Sequence, residues 1–141
     1  MENRLIRKTI RLRALTSAAA LAISAASVAA ASAYDLNAFR AEHGRPALRV
    51  NSSLAAMAQS HASDMARRGS LDHNGFSQRG PKGARAENVA YGCDDEAYTI
   101  KQWSRSSGHR ANMLLRDVRG YGIASAVSSN GRRYWTLVLG R

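Results

Sequence analysis

Three side chains able to do chemistry stand far apart in the chain. They are His73 in Leu71-Asp72-His73, Glu87 in ARAENVAYG at residues 84–92, and His109 in QWSRSSGHRANML at residues 102–114. No two of them share a turn of helix, so they act together only if a fold gathers them. Two neutral imidazoles, His73 and His109, can hold a divalent transition metal with water in the remaining positions. Zinc is the first candidate, because imidazole suits it and such a site stays open. Glu87 can orient a ring nitrogen through a hydrogen bond, or accept a proton from a metal-bound water. With two protein ligands the metal affinity should be modest. Nucleophilic catalysis has weaker support: Ser107 lies two residues before His109, but no nucleophile elbow surrounds it. A Cys93–histidine pair is a further option, and paired carboxylates for glycoside hydrolysis are not evident. The alternative without chemistry is a polar network. In it the histidines, Glu87, Asn88 and Asn112 tie central loops to the core, since buried polar groups need partners.

The elements that must position these residues can be read in order. Asp35 can cap a short helix to about Glu42, with Leu36 and Phe39 on its buried side, and Gly44 and Pro46 stop it. Asn37 and Arg40 would be neighbours on another face, either anchoring the helix to the next loop or solvated. Asn51 or Ser52 opens the best helix. Leu54, Ala58, His61 and Met65 form its apolar stripe, Met57 widens it, Arg67 and Arg68 suit its last turn, and Gly69 suits its end. His61 on that stripe reads as a satisfied core histidine rather than a ligand. Residues 74–83 show no periodicity and read as a loop. Residues 87–91 alternate as a short strand and stop at Gly92. Asp94 and Asp95 suit a helix start, and Ala97, Ile100 and Trp103 form a ladder on that helix. Ser106 or Ser107 can cap a last helix over residues 109–114. Residues 121–128 and 132–139 flank Ser129-Asn130-Gly131, a strong hairpin turn. Tyr134, Thr136 and Val138 alternate with Trp135, Leu137 and Leu139, so the last strand should be central and covered on both faces. Helices before a covered antiparallel hairpin predict an α+β fold, an α/β/α sandwich.

The chain begins with a segment that reads as an export signal. Arg4, Arg7, Lys8, Arg11 and Arg13 precede an alanine-rich apolar run over residues 14–30, and Ala31-Ser32-Ala33 fits signal peptidase. The alternative is a retained membrane anchor. No cysteine follows the apolar run, which argues against a lipoprotein. Cleavage leaves one domain, residues 34–141, of a size that can bury a core. The leader holds five basic residues and one acidic one, so its removal lowers the net charge from +11 to +7. That balance favours anionic surfaces, although 14 of the 16 basic residues after it are arginines scattered along the chain, as on an ordinary soluble surface. Cys93 is the only cysteine, so no internal disulfide is available. It reads as a small semi-buried side chain, with a reactive or intermolecular thiol as the minor alternative.

In their order and spacing these pieces resemble a known family. Asn37-x-x-Arg40, the Leu54 helix ending in LDH, Ala86-Glu87-Asn88-Val89-Ala90, Trp103, SGHRANML at residues 107–114, and the closing YGIASAV and YWTLVLG strands together resemble the CAP superfamily. That is the group of cysteine-rich secretory proteins, antigen 5 and pathogenesis-related 1 proteins, here in its short, cysteine-poor bacterial branch. The resemblance covers nearly all of residues 35–140. It implies a three-stranded antiparallel sheet between helical layers and a large cleft with histidines and acidic residues, here His73, Glu87 and His109. The family's second acidic residue follows the tryptophan by about a turn. Arg105 and Ser106 stand there instead, and Glu96, before Trp103, does not take its place.

Two main functions follow. One is an exported, monomeric binding module that engages a lipid, glycan or protein at the envelope or outside the cell, with His73 and His109 holding zinc or another divalent metal. The other is a metal-dependent hydrolase of envelope peptide or glycan, with Glu87 as general base and the histidines beside it. A nucleic-acid binder is a third reading. It is disfavoured, because no base-stacking platform or recognised nucleic-acid motif is present.

Overall fold

The computed structural model describes residues 34–141, so the leader assigned to residues 1–33 lies outside the described residues. Helix α1 (Leu36–Glu42) starts at Asp35, whose carboxylate accepts from Ala38 N at 2.8 Å. Helix α2 (Ser52–Arg68) is capped by Asn51 rather than Ser52 and ends at Gly69 in the left-handed conformation, φ 67°. Helix α4 (Glu96–Ser104) is capped by Asp95 rather than Asp94, and α5 (Ser107–Met113) follows Ser106. The starts at Asp35, Asn51 and Asp95 were legible because a short polar side chain can satisfy amide groups that have no partner inside the helix; Ser106 makes no such side-chain bond.

The main strands are β2 (Ala84–Tyr91), β3 (Gly120–Val127) and β4 (Arg133–Gly140). They pair antiparallel, with β4 between β3 and β2. The expected hairpin closes at residues 128–131, where Gly131 N bonds Ser128 O at 2.9 Å. A fourth strand, β1 (Arg49–Val50), adds parallel to the outer edge of β3, giving the order β1-β3-β4-β2. The three-stranded expectation omits it for a physical reason: two exposed residues have no period to read. Residues 74–83 are also more regular than a loop. They hold α3 (Phe76–Arg79) and a 3-10 turn (Gly80–Lys82), both too short for a periodic pattern.

β4 divides the core as its alternation requires. Trp135, Leu137 and Leu139 pack with Leu36 and Phe39 of α1, Ile100 and Trp103 of α4, and Met113 of α5. On the opposite face, Val138 packs with Leu54 and Ala58 of α2, and Tyr134 packs with Met65 and Ala66. Residues 34–141 therefore form an α/β/α sandwich. Helix α2 presses on β3 so closely that a Cβ at Gly122 would lie 2.1 Å from Ala55 N, a contact only glycine avoids. Cys93 is a buried core residue, and its carbonyl accepts from Trp135 Nε1 at 2.8 Å. Among the described residues no helix is long and apolar enough to cross a membrane.

Candidate functional site

Glu87 lies on β2, an edge strand, and points to the side covered by α2. Its side chain is only 1% exposed, an expensive place for a carboxylate without partners. Three groups meet it. His73 Nδ1 lies 2.9 Å from Oε1. Arg79 Nη2, from α3, lies 2.6 Å from Oε2, at an angle that makes the contact an ion pair rather than a hydrogen bond. His61 Nε2, from α2, is 3.7 Å from Oε1 and 2.8 Å from Asp72 O. A carbonyl and a carboxylate only accept, so the proton sits on His61 Nε2 and on His73 Nδ1. In that tautomer His73, half exposed at 53%, keeps a lone pair on Nε2.

The segment carrying His73 is fixed from below. Arg68 holds Asp72 through Nη1–Oδ2 at 2.7 Å and Nη2–Oδ1 at 3.1 Å. That pairing pulls the Asp72 carboxyl well below the usual carboxylate range. Asp72 Oδ1 also accepts from Asn74 N at 3.1 Å, which closes the turn around His73.

His109 arrives from the other side of the strand. Asn88 donates from Nδ2 to His109 O at 3.0 Å, and Asn112 donates to Glu87 O at 3.2 Å and to Asn88 Oδ1 at 2.9 Å. Trp103 Nε1 donates to Val89 O at 3.1 Å. Helices α4 and α5 thus satisfy alternate carbonyls on the open edge of β2, which would otherwise be a site for unwanted pairing. The expected network through Asn88 and Asn112 is present, and it places His109. Burial first, and then the nearby His73, push the His109 imidazole below its usual value of 6.5. The sign follows directly: the folded state favours neutral His109, so protonation costs folding free energy as pH falls below about 6.5. Thermal melts of the metal-free protein between pH 7.5 and 5 should show falling stability. A His109→Phe variant should lose that part of the slope, and an unchanged slope would contradict the assignment.

The structure therefore brings His73 and Glu87 into direct contact and puts His109 within electrostatic reach of His73. The three do not line the groove beside them. That groove, ≈ 630 Å³, runs between α2 and α3 and is lined by His61 and Arg79 but not by His73, Glu87 or His109. Sequence reading missed two partners. His61 is the buried histidine it expected, yet it also faces Glu87. Arg79 gave no periodic signal; the only clue was that a glutamate inside a strand needs a cation.

The sequence model of the cysteine-rich secretory protein family, CAP, matches residues 33–139. The chain belongs to the CAP family. Three solved structures share the CAP fold. An outer surface protein of Borrelia burgdorferi is 15% identical, with a TM-score of 0.63 over 75% of this chain and 86% of that one. An extracellular protein of Bacillus anthracis containing an SCP domain is 25% identical, with a TM-score of 0.58 over 73% of this chain. A cysteine-rich secretory protein of Staphylococcus aureus is 24% identical, with a TM-score of 0.56 over 75% of this chain. This CAP chain spans only 37% and 36% of the last two proteins. No curated protein sequence matches it significantly.

Imidazole is a suitable zinc donor, and this site offers two at most. His73 offers Nε2, and neutral His109 offers an imidazole. Among the described residues no set of three His, Cys, Asp or Glu side chains is placed to hold a metal ion, so Glu87 does not complete a three-ligand set. The cation of Arg79 beside Glu87 also opposes a second cation at that carboxylate.

Proposed function

We propose that this CAP domain is an exported, monomeric binding module that engages a lipid, glycan or protein ligand at the cell envelope or outside the cell. In this reading His73 and His109 hold zinc or another divalent metal reversibly, and nucleic acid is not a partner. The basic, alanine-rich leader supports export, and the SCP-domain relative from Bacillus anthracis is described as extracellular. The observation that carries the reading is the occupancy of Glu87. One of its oxygens holds the proton of His73 and the other faces Arg79, so it is built to orient an imidazole. A general base would have to give up one of these contacts at each turnover, which disfavours the hydrolase reading with Glu87, His73 and His109 as catalytic residues. Bound zinc would supply a Lewis-acidic centre for a donor atom of the ligand. Glu87 would set the tautomer and angle of His73, and Arg79 would hold the other carboxylate oxygen in place.

Zinc calorimetry on the purified chain tests this. Alanine at His73 or His109 should abolish binding. Glu87→Gln should weaken it about 10-fold or more, as expected for a group that orients a ligand. Unchanged zinc binding in a His73→Ala/His109→Ala variant sinks the site. Turnover of peptidoglycan or casein that vanishes in a folded Glu87→Gln variant would favour the hydrolase instead.

A further inference from the structure

A second region carries an inference independent of the His73–Glu87 site. Where β1 and β3 begin and β4 ends, a groove of ≈ 780 Å³ is lined by Arg49, Arg116, Arg119 and Arg141, with Asp117 its one acidic side chain. Arg49, Arg119 and Arg141, distant along the chain, converge because of strand register. Arg49 on β1 stands opposite Gly120 on β3, and Gly120 stands opposite Gly140 on β4. Arg119 precedes the first of these glycines and Arg141 follows the second. Their backbones are tied directly: Arg49 N bonds Arg119 O at 3.1 Å, and Arg119 N bonds Gly140 O at 2.8 Å. Adjacent strands lie about 4.8 Å apart, so three guanidinium groups are rooted side by side.

Asp117 is already taken. Its Oδ2 lies 3.3 Å from Arg141 Nη2, and its backbone carbonyl accepts from Arg141 Nε at 3.0 Å. Among the described residues Arg49, Arg116 and Arg119 enter none of the ion pairs, which use other arginines. Like charges rooted on neighbouring strands repel and attract a counter-anion. Guanidinium forks match phosphate oxygens two at a time. A groove, unlike a flat patch, can seat a chain along its length. No aromatic ring lines the groove, so nothing there would stack a base.

We propose that this groove binds a base-free phosphate polymer, a chain of linked phosphate groups such as an anionic envelope polymer carries, with Arg49, Arg116 and Arg119 each meeting one phosphate. Medium-chain inorganic polyphosphate is the probe, titrated by calorimetry into the full chain at several salt concentrations. Three phosphate contacts predict a log–log salt slope of about −2. Replacing Arg49, Arg116 and Arg119 together by alanine should weaken binding at least 10-fold and remove most of that slope. A variant with alanine at Arg67, Arg85 and Arg105 has the same net charge and should bind like the parent. Equal losses in both variants would show that net charge, not the groove, binds the polymer, and would overturn the proposal. Tighter binding of polyglutamate, a thymidine oligomer or phosphatidylglycerol vesicles than of polyphosphate would overturn the assigned chemistry. Loss of zinc binding in the His73→Ala/His109→Ala variant should leave polyphosphate affinity unchanged, so the two sites can fail separately.

Discussion

Replacing Arg79 by methionine is expected to destabilise the domain by about 3–5 kcal/mol, the usual cost of stranding one member of a buried ion pair. The Glu87 side chain is 1% exposed and that of Arg79 14%, so neither charge can turn to water for relief. Without Arg79, the buried Glu87 keeps the hydrogen bond to His73 Nδ1 but has lost its counter-charge. Glu87→Met should cost a similar amount for the mirrored reason, because it leaves the Arg79 cation beside Phe76 and Asn74 O with its counter-charge gone. The double variant Arg79→Met/Glu87→Met is the informative one. With neither charge left to desolvate, it should be more stable than either single variant, since apolar replacement of a whole buried pair is often near neutral. Urea unfolding of the four proteins closes the cycle. Losses that simply add in the double variant would mean that the two charges are not coupled, and that the carboxylate is held by the histidines alone.

How far the sequence led depended on how long each signal was. The β4 alternation of Tyr134, Thr136 and Val138 against Trp135, Leu137 and Leu139 spans six residues and specified both faces of the sandwich. Asp35, Asn51 and Asp95 marked helix starts because capping is local chemistry. The contact between His73 and Glu87 came from family resemblance, since 14 residues of chain and an α3 turn separate them. Arg79 could not be found in this way. Its role exists only because α3 folds over the edge of β2, and a four-residue helix leaves no pattern. The arginine groove was hidden for the same reason. Along the chain these residues look scattered, and the registers of β1 on β3 and of β3 on β4 make them neighbours. Local preferences write themselves into sequence, whereas charge pairs and charge clusters across elements are decided by topology.

Arg40 should prove the most sensitive position of the α1 layer, and Arg40→Leu is expected to cost on the order of 4 kcal/mol. The residue is fully buried, yet no carboxylate pairs with it. Its Nε donates to Pro46 O at 3.0 Å, and Nη1 donates to Met113 O at 2.7 Å and Leu115 O at 3.0 Å. Arg45 adds a bond from Nε to Leu114 O at 2.9 Å. Two guanidinium groups therefore gather the carbonyls at the end of α5, where the helix dipole favours positive charge. Asn37 locks α1 to the loop before β1, with its side chain bonded to both N and O of Leu48 at 2.8 and 2.9 Å. The sequence offered anchoring and solvation equally for Asn37 and Arg40, and the structure decides for anchoring. Leucine would fill part of the volume but leave three carbonyls without donors, and such stranded groups account for most of the predicted loss. Lysine should recover less than half of it, because a single ammonium on a flexible stem cannot bridge carbonyls from two separate segments. The consequence reaches the site: α5 carries His109, so an Arg40→Lys protein that still folds should bind zinc more weakly than the parent. Urea unfolding together with a zinc titration reads both effects. A lysine variant as stable as the parent would mean that the charge alone, and not the fork of donors, holds the end of α5 in place.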